Sequence, residues 1–143
     1  MARSGCATDA PVPHVSSQPR VLLAVFVGGC AGGAARHLIA DSHATTLVVN
    51  LVGCFVLGAL VVSAPHGWRP LLGTGFCGGF TTFGSVMVAS DHWLADGRPG
   101  AALGYLALSL LGGVAAAAVG IGAGHALSQR RELAPEDPDL EVD

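Results

Sequence analysis

The sequence contains no lysine, few charges of either sign and few aromatic residues. Charged residues make up 12% of its 143 positions and aromatics 6%, against 51% hydrophobic residues. That balance excludes an ordinary soluble domain and points to a single-domain membrane protein. All seven basic residues are arginines, and they form no basic patch, which argues against a nucleic-acid partner. The four cysteines (Cys6, Cys30, Cys54, Cys77) form no CxxC pair and the six histidines are scattered, so neither a zinc site nor a disulfide framework is indicated. No nucleophile, base and orienting group fall together, which argues against an enzyme. The net charge of −3 comes largely from the tail after Gln129, which holds six of the ten acidic residues, and so implies nothing about the charge of a partner.

What the chain does have is glycine and long apolar runs. Residues 1–20 are polar and rich in Pro and Ser, without the apolar core and small-residue cleavage site of a signal peptide, and read as a disordered cytoplasmic leader. Four candidate spans follow, at about 21–40, 44–64, 71–90 and 101–127, each long enough for a bilayer. A charged, Pro-containing tail over 128–143 reads as disordered. Short loops between the spans give an up-and-down all-α bundle with little interior.

All four spans carry distinctive features. In the first, Gly28/Gly32 and Gly29/Gly33 form overlapping small-xxx-small pairs that admit another helix closely. Near its end Arg36 either snorkels to the headgroups or stands at the mouth of an anion pathway. In the second, Thr46, Asn50, Gly53, Cys54 and Leu57 fall on one helical face. Asn50 within an apolar run must find partners, either as a packing hydrogen bond to another helix or as an amide donor to an anion stripped of water. The third span, LLGTGFCGGFTTFGSVMVAS, is apolar but too rich in glycine beside hydroxyls for a plain helix. Such a stretch predicts a break, tolerated in a membrane where the freed carbonyls face protein, ion or water. In the fourth span Tyr105 and Ser109 share a face at i, i+4, and Gly113 continues it. Gly120 and Gly124 repeat the small-xxx-small spacing, and these glycine-rich faces call for an oligomer.

With the N-terminus inside, Arg3, Arg20, Arg69, Arg130 and Arg131 are cytoplasmic and Arg36 and Arg98 lie outside. The positive-inside rule then places both termini in the cytoplasm, with one fixed orientation in the cell membrane.

Across Val21 to Leu127 the chain resembles the CrcB/Fluc family of small fluoride channels. The matching pieces are GGCAGGAARH ending at Arg36, TLVVNLVGCFVLG around Asn50, and GFCGGFTTF at Gly75 to Phe83. The resemblance implies an antiparallel dimer of four-helix subunits with the third helix broken. It also implies a structural Na⁺ on the two-fold axis, held by backbone carbonyls that correspond to Gly78 and Thr81. Two fluoride paths per dimer are implied, lined at positions matching Asn50, Phe83, Thr82, Tyr105 and Ser109, with Thr46 a weaker match and Arg36 at the vestibule. A small, strongly hydrated anion needs amide and hydroxyl donors to replace its water, with an aromatic ring edge as a weaker contact. Passive conduction needs no titrating carboxylate, and none lies in the core of any span. A proton-coupled multidrug transporter of the same size would need one in its first span.

The sequence also departs from the family pattern. Val86 stands at the position of a second Phe, Gly113 at that of a Ser, and Ala89 where many members carry Glu. These changes thin the anion path and spare the cation-site positions. They predict either a fluoride channel subunit that pairs with itself or, preferentially, with a homologous second subunit, or a weakly conducting or non-conducting partner in such a pair.

Overall fold

The computed structural model describes residues 19–132, and among these every regular element is helical. The predicted leader up to position 18 and the tail from 133 lie outside the described residues. Helix α1 spans Pro19–Ile39 and α2 spans His43–Ser63. A π-helical segment, Pro70–Cys77, runs directly into one α turn, α3 (Gly78–Phe80). After Thr81 and Thr82, both extended (φ −81°, ψ 152° and φ −146°, ψ 121°), α4 covers Phe83–Ala95 and α5 covers Pro99–Glu132. Four stretches, Pro19–Ile39, His43–Ser63, Pro70–Ala95 and Pro99–Arg130, are long and apolar enough to cross a membrane. Two boundaries differ from the sequence expectation by more than two residues. The third stretch continues past Ser90 to Ala95, and α5 runs five residues past Leu127, so the start of the expected disordered tail is helical.

Local chemistry explains the ends. Ser42 caps α2 with a reciprocal box: its hydroxyl accepts from the Thr45 N–H at 3.2 Å, and the Thr45 hydroxyl accepts from the Ser42 N–H at 2.9 Å. α2 stops at Ala64, where Pro65 disfavours further helix. The Arg69 Nε then donates to the Ala64 carbonyl at 3.1 Å, satisfying an acceptor the helix end leaves open. α4 closes with a Schellman turn, in which Gly97 adopts φ +69°, its N–H donates to the Leu94 carbonyl and the Arg98 N–H donates to the Trp93 carbonyl. Pro99 then opens α5 at a position where a missing N–H costs nothing.

Glycine sets how the helices meet. A methyl group at Gly28 would strike the Leu71 carbonyl, and one at Gly32 the Phe76 carbonyl, so α1 lies backbone to backbone on Pro70–Phe80. On the other side α2 lies along α5, where Gly58 meets the Ala117 carbonyl and Gly120 the Phe55 carbonyl. Consecutive α1 and α2 scarcely touch. The third stretch therefore changes neighbours at Thr81 and Thr82: its first half packs on α1, its second half on α5. Little of the apolar surface is internal. Val86 and Ala89, each 1% exposed, pack with Tyr105 into a small core, while Phe26, Leu38, Leu111 and Val114 are largely exposed. Such an outward apolar surface suits lipid or a second subunit.

Candidate functional site

The point where the third stretch changes neighbours is held by one side chain. Of the face that the spacing predicts on α2, Thr46, Asn50 and Gly53 are buried, Cys54 is half-buried and Leu57 is 37% exposed. From there the Asn50 amide reaches the extended residue Thr82 twice: Nδ2 donates to the Thr82 carbonyl at 2.9 Å, and Oδ1 accepts from the Thr82 N–H at 2.7 Å. The amide thus replaces both backbone partners that Thr82 would have had in a continuous helix. Both readings of Asn50 left open by the sequence have room here, because one Nδ2 hydrogen remains uncommitted. Gly53, one turn on, permits the approach, since a side chain there would strike the Thr81 methyl group.

Thr81 and Thr82 use their hydroxyls differently. Thr81 Oγ1 donates back to the Cys77 carbonyl at 2.9 Å, finishing the α3 turn. Thr82 caps α4, with Oγ1 accepting from the Ser85 N–H at 3.3 Å. Gly78 is exposed and has open space where a side chain would stand, and Thr81 is half-buried.

Two cavities flank this point. One, of about 170 Å³, is lined by Asn50, Cys54, Thr81, Thr82, Phe83, Val86, Ser109 and Leu110. Ser109 Oγ is buried here and has no hydrogen-bond partner among the described residues. An orphaned hydroxyl in an apolar surround costs free energy unless something enters to accept from it. The other cavity, about 690 Å³, opens beside the turn between α1 and α2, with Ser42, His43, Thr46, Thr82 and Ser85 among its walls. Thr82 is a wall of both.

The sequence-predicted residues are therefore only partly gathered. Asn50, Thr81, Thr82, Phe83 and Ser109 share the smaller cavity, and Thr46 lines the larger one. Phe83 is 58% exposed, so its ring lies on the surface of the subunit as much as in the cavity. Tyr105 lines neither cavity. Its hydroxyl donates to the His43 carbonyl at 2.9 Å, and its ring meets Trp93 edge to face at 5.0 Å. Arg36 also lines neither, and its Nε is buried without a partner. Sequence reasoning missed Cys54, Leu110 and Ser85 as lining residues. The Ser85 signal was present, since a residue three beyond Thr82 is where a capped N–H belongs.

Val86 and Gly113 have structural partners. Val86 is packed at 1% exposure while lining the smaller cavity. A side chain begun at Gly113 would lie 3.4 Å from Cys54 Sγ, so the sulfur occupies the space beside it. Among the described residues no group of three or more His, Cys, Asp or Glu could hold a metal.

Comparison with known proteins gives the chain a family. A family model described as CrcB-like protein, Camphor Resistance (CrcB), matches residues 23–121. Fluoride-specific ion channel FluC 2 of Nocardia farcinica is 37% identical over 129 residues, 80% of this chain and 92% of that protein. Fluoride-specific ion channel FluC of Prosthecochloris aestuarii is 46% identical over 107 residues, 65% of this chain and 84% of its own. Fluoride-specific ion channel FluC 1 of Yersinia pseudotuberculosis is 40% identical over 108 residues, covering 66% and 85%. These relatives are named as ion channels, not enzymes, and this multi-pass chain belongs to the CrcB family.

Proposed function

We propose that the chain is a subunit of a fluoride-specific channel through which fluoride leaves the cell passively, lowering its cytoplasmic concentration. The observation that carries this reading is the smaller cavity, where donors from α2 and α5 converge and the buried Ser109 hydroxyl has no partner. Fluoride entering there accepts from Ser109 and from the free Nδ2 hydrogen of Asn50, replacing part of its water. The Phe83 ring edge adds a weaker attraction, and Thr82 and Thr46 continue the polar wall toward the larger cavity. No proton is exchanged in this scheme, so the pathway needs no carboxylate.

In the same proposal two subunits pair antiparallel, the pairing that gives a four-helix chain with few internal contacts its second wall. The exposed Gly78, the outward face of Phe83 and the interruption at Thr81 and Thr82 support this face as the contact. The interruption is the break through which carbonyls of Gly78 and Thr81 would hold a structural Na⁺ shared by both subunits. The residues fit such an ion: a helix ending at Phe80 leaves its last carbonyls without i+4 donors, and neutral oxygens are hard ligands for a small hard cation. Bound there, Na⁺ would offset the carbonyl dipoles at this helix end. The arginine distribution supports cytoplasmic termini in the inner membrane.

The partner is either a second copy or a homologous chain. The fixed arginine bias favours a homologous chain, and the numbered names FluC 1 and FluC 2 among the relatives fit more than one such chain in an organism. Val86 and Gly113 favour a second reading, in which this chain conducts weakly or only completes its partner's path. Fluoride efflux from liposomes, measured with this chain alone and with an oppositely oriented homologue, tests both. Fast efflux only with the homologue is expected. Full efflux by the chain alone would remove the heterodimer, and no efflux in either case would remove the channel.

A further inference from the structure

The two carbonyls assigned to the cation, those of Gly78 and Thr81, have specific rivals for their lone pairs. In an uninterrupted α-helix the Gly78 carbonyl would accept from the N–H of Thr82, and the Thr81 carbonyl from the N–H of Ser85. Neither donor is free to do so here. The Thr82 N–H is taken by Asn50 Oδ1 at 2.7 Å, and the Ser85 N–H by Thr82 Oγ1 at 3.3 Å. Asn50 Nδ2 further pins Thr82 through its carbonyl at 2.9 Å.

From this we infer that Asn50 and Thr82 are positioning residues for the cation site, each intercepting the one backbone N–H that would otherwise close the helix over a ligand carbonyl. The inference rests on the proposed Na⁺ reading and adds a coupling to it: side chains lining the anion cavity set the affinity of the cation site. The physical reason is competition. In a low-dielectric surround an unpaired Thr82 N–H is costly, and without Asn50 helical rewinding through Thr81 would bring it to the Gly78 carbonyl. Helix closure and Na⁺ binding then compete for the same oxygen. Ser109 lines the same cavity, but it intercepts no backbone donor and stands outside this competition.

The assembled channel, purified with its second subunit if one is required, would be titrated with NaCl against choline chloride at constant ionic strength. The readout is the Na⁺ dependence of the thermal unfolding midpoint, which follows site occupancy. Asn50→Ala is expected to raise the Na⁺ concentration needed for half the stabilisation about tenfold, the scale of one or two lost hydrogen bonds. Thr82→Val, which keeps the shape and deletes the acceptor, should raise it about fivefold, in line with a lost cap. Thr82→Ser should restore the parent value, and Ser109→Ala should leave it in place while lowering fluoride flux. Should Asn50→Ala fail to assemble, Thr82→Val against Thr82→Ser carries the test alone. An unmoved Na⁺ midpoint in Thr82→Val, with normal Na⁺ stabilisation of the parent, overturns the coupling and leaves the cation site standing. Absence of Na⁺ stabilisation in the parent overturns the cation site and the coupling together.

Discussion

Asn50 and Ser109 both carry donors into one small cavity, but the fold consumes them to different degrees. The Asn50 carbonyl and one of its N–H groups are spent on Thr82, whereas the Ser109 hydroxyl is buried with nothing to bond. Ser109 is therefore the cleaner probe of the proposed anion path. Ser109→Ala should lower fluoride flux about tenfold, as expected for one lost donor to a charged group, without changing assembly on size exclusion. Unaltered flux would place the path elsewhere. The sequence made the candidates legible, because an Asn inside an apolar run must find partners and the burial of Thr46, Asn50 and Gly53 follows from helical spacing. It could not show that Asn50 reaches Thr82, since that pairing joins residues 32 positions apart and depends on how α2 meets the third stretch. Tyr105 shows the opposite limit. It shares a helical face with Ser109, yet its hydroxyl is spent on the carbonyl of His43, a wall of the larger cavity, and Tyr105 itself lines neither cavity.

At the scale of elements, the glycine pattern reads as contact, but contact within the chain, where the sequence alone assigns these faces to an oligomer. Gly28 and Gly32, selected by spacing alone, are buried against the carbonyls of Leu71 and Phe76, and Gly120 and Gly124 lie against α2. Substitutions should divide accordingly. Gly32→Ala would force the helices apart and cost about 1–3 kcal/mol, lowering the thermal midpoint. Gly122→Ala meets nothing within 4 Å and should be neutral or stabilise α5 by about 0.5–1 kcal/mol. Equal effects of the two would mean that α1 does not pack on the third stretch in this way. Four long apolar helices were readable from composition. The π winding of Pro70–Cys77 was not, because it answers to packing against α1. The reach of α5 to Glu132 was hidden as well: Gln129, Arg130 and Arg131 are good helix formers, and a change in polarity marks where lipid ends, not where helix ends.

Across the whole molecule, the helices pair as α1 with Pro70–Phe80 and as α2 with α5, and the chain crosses between the pairs at Thr81 and Thr82. The crossing places a capped helix start, a doubly bonded Asn and a set of released carbonyls within a few residues of one another. In the proposed function, that arrangement lets one interruption serve the smaller cavity, as an anion site, on one side and a cation-bearing subunit contact on the other. Of the departures from the family pattern, Val86 lines the smaller cavity and Ala89 the larger, and in the proposed function this chain still helps to move fluoride selectively. The most direct test is parallel fluoride and chloride efflux from the same liposomes, containing the chain and its homologous partner, read with ion-selective electrodes. The account predicts fast fluoride efflux with chloride held at the rate of empty liposomes. Equal release of the two anions, or fluoride release no faster than from empty liposomes, would contradict it.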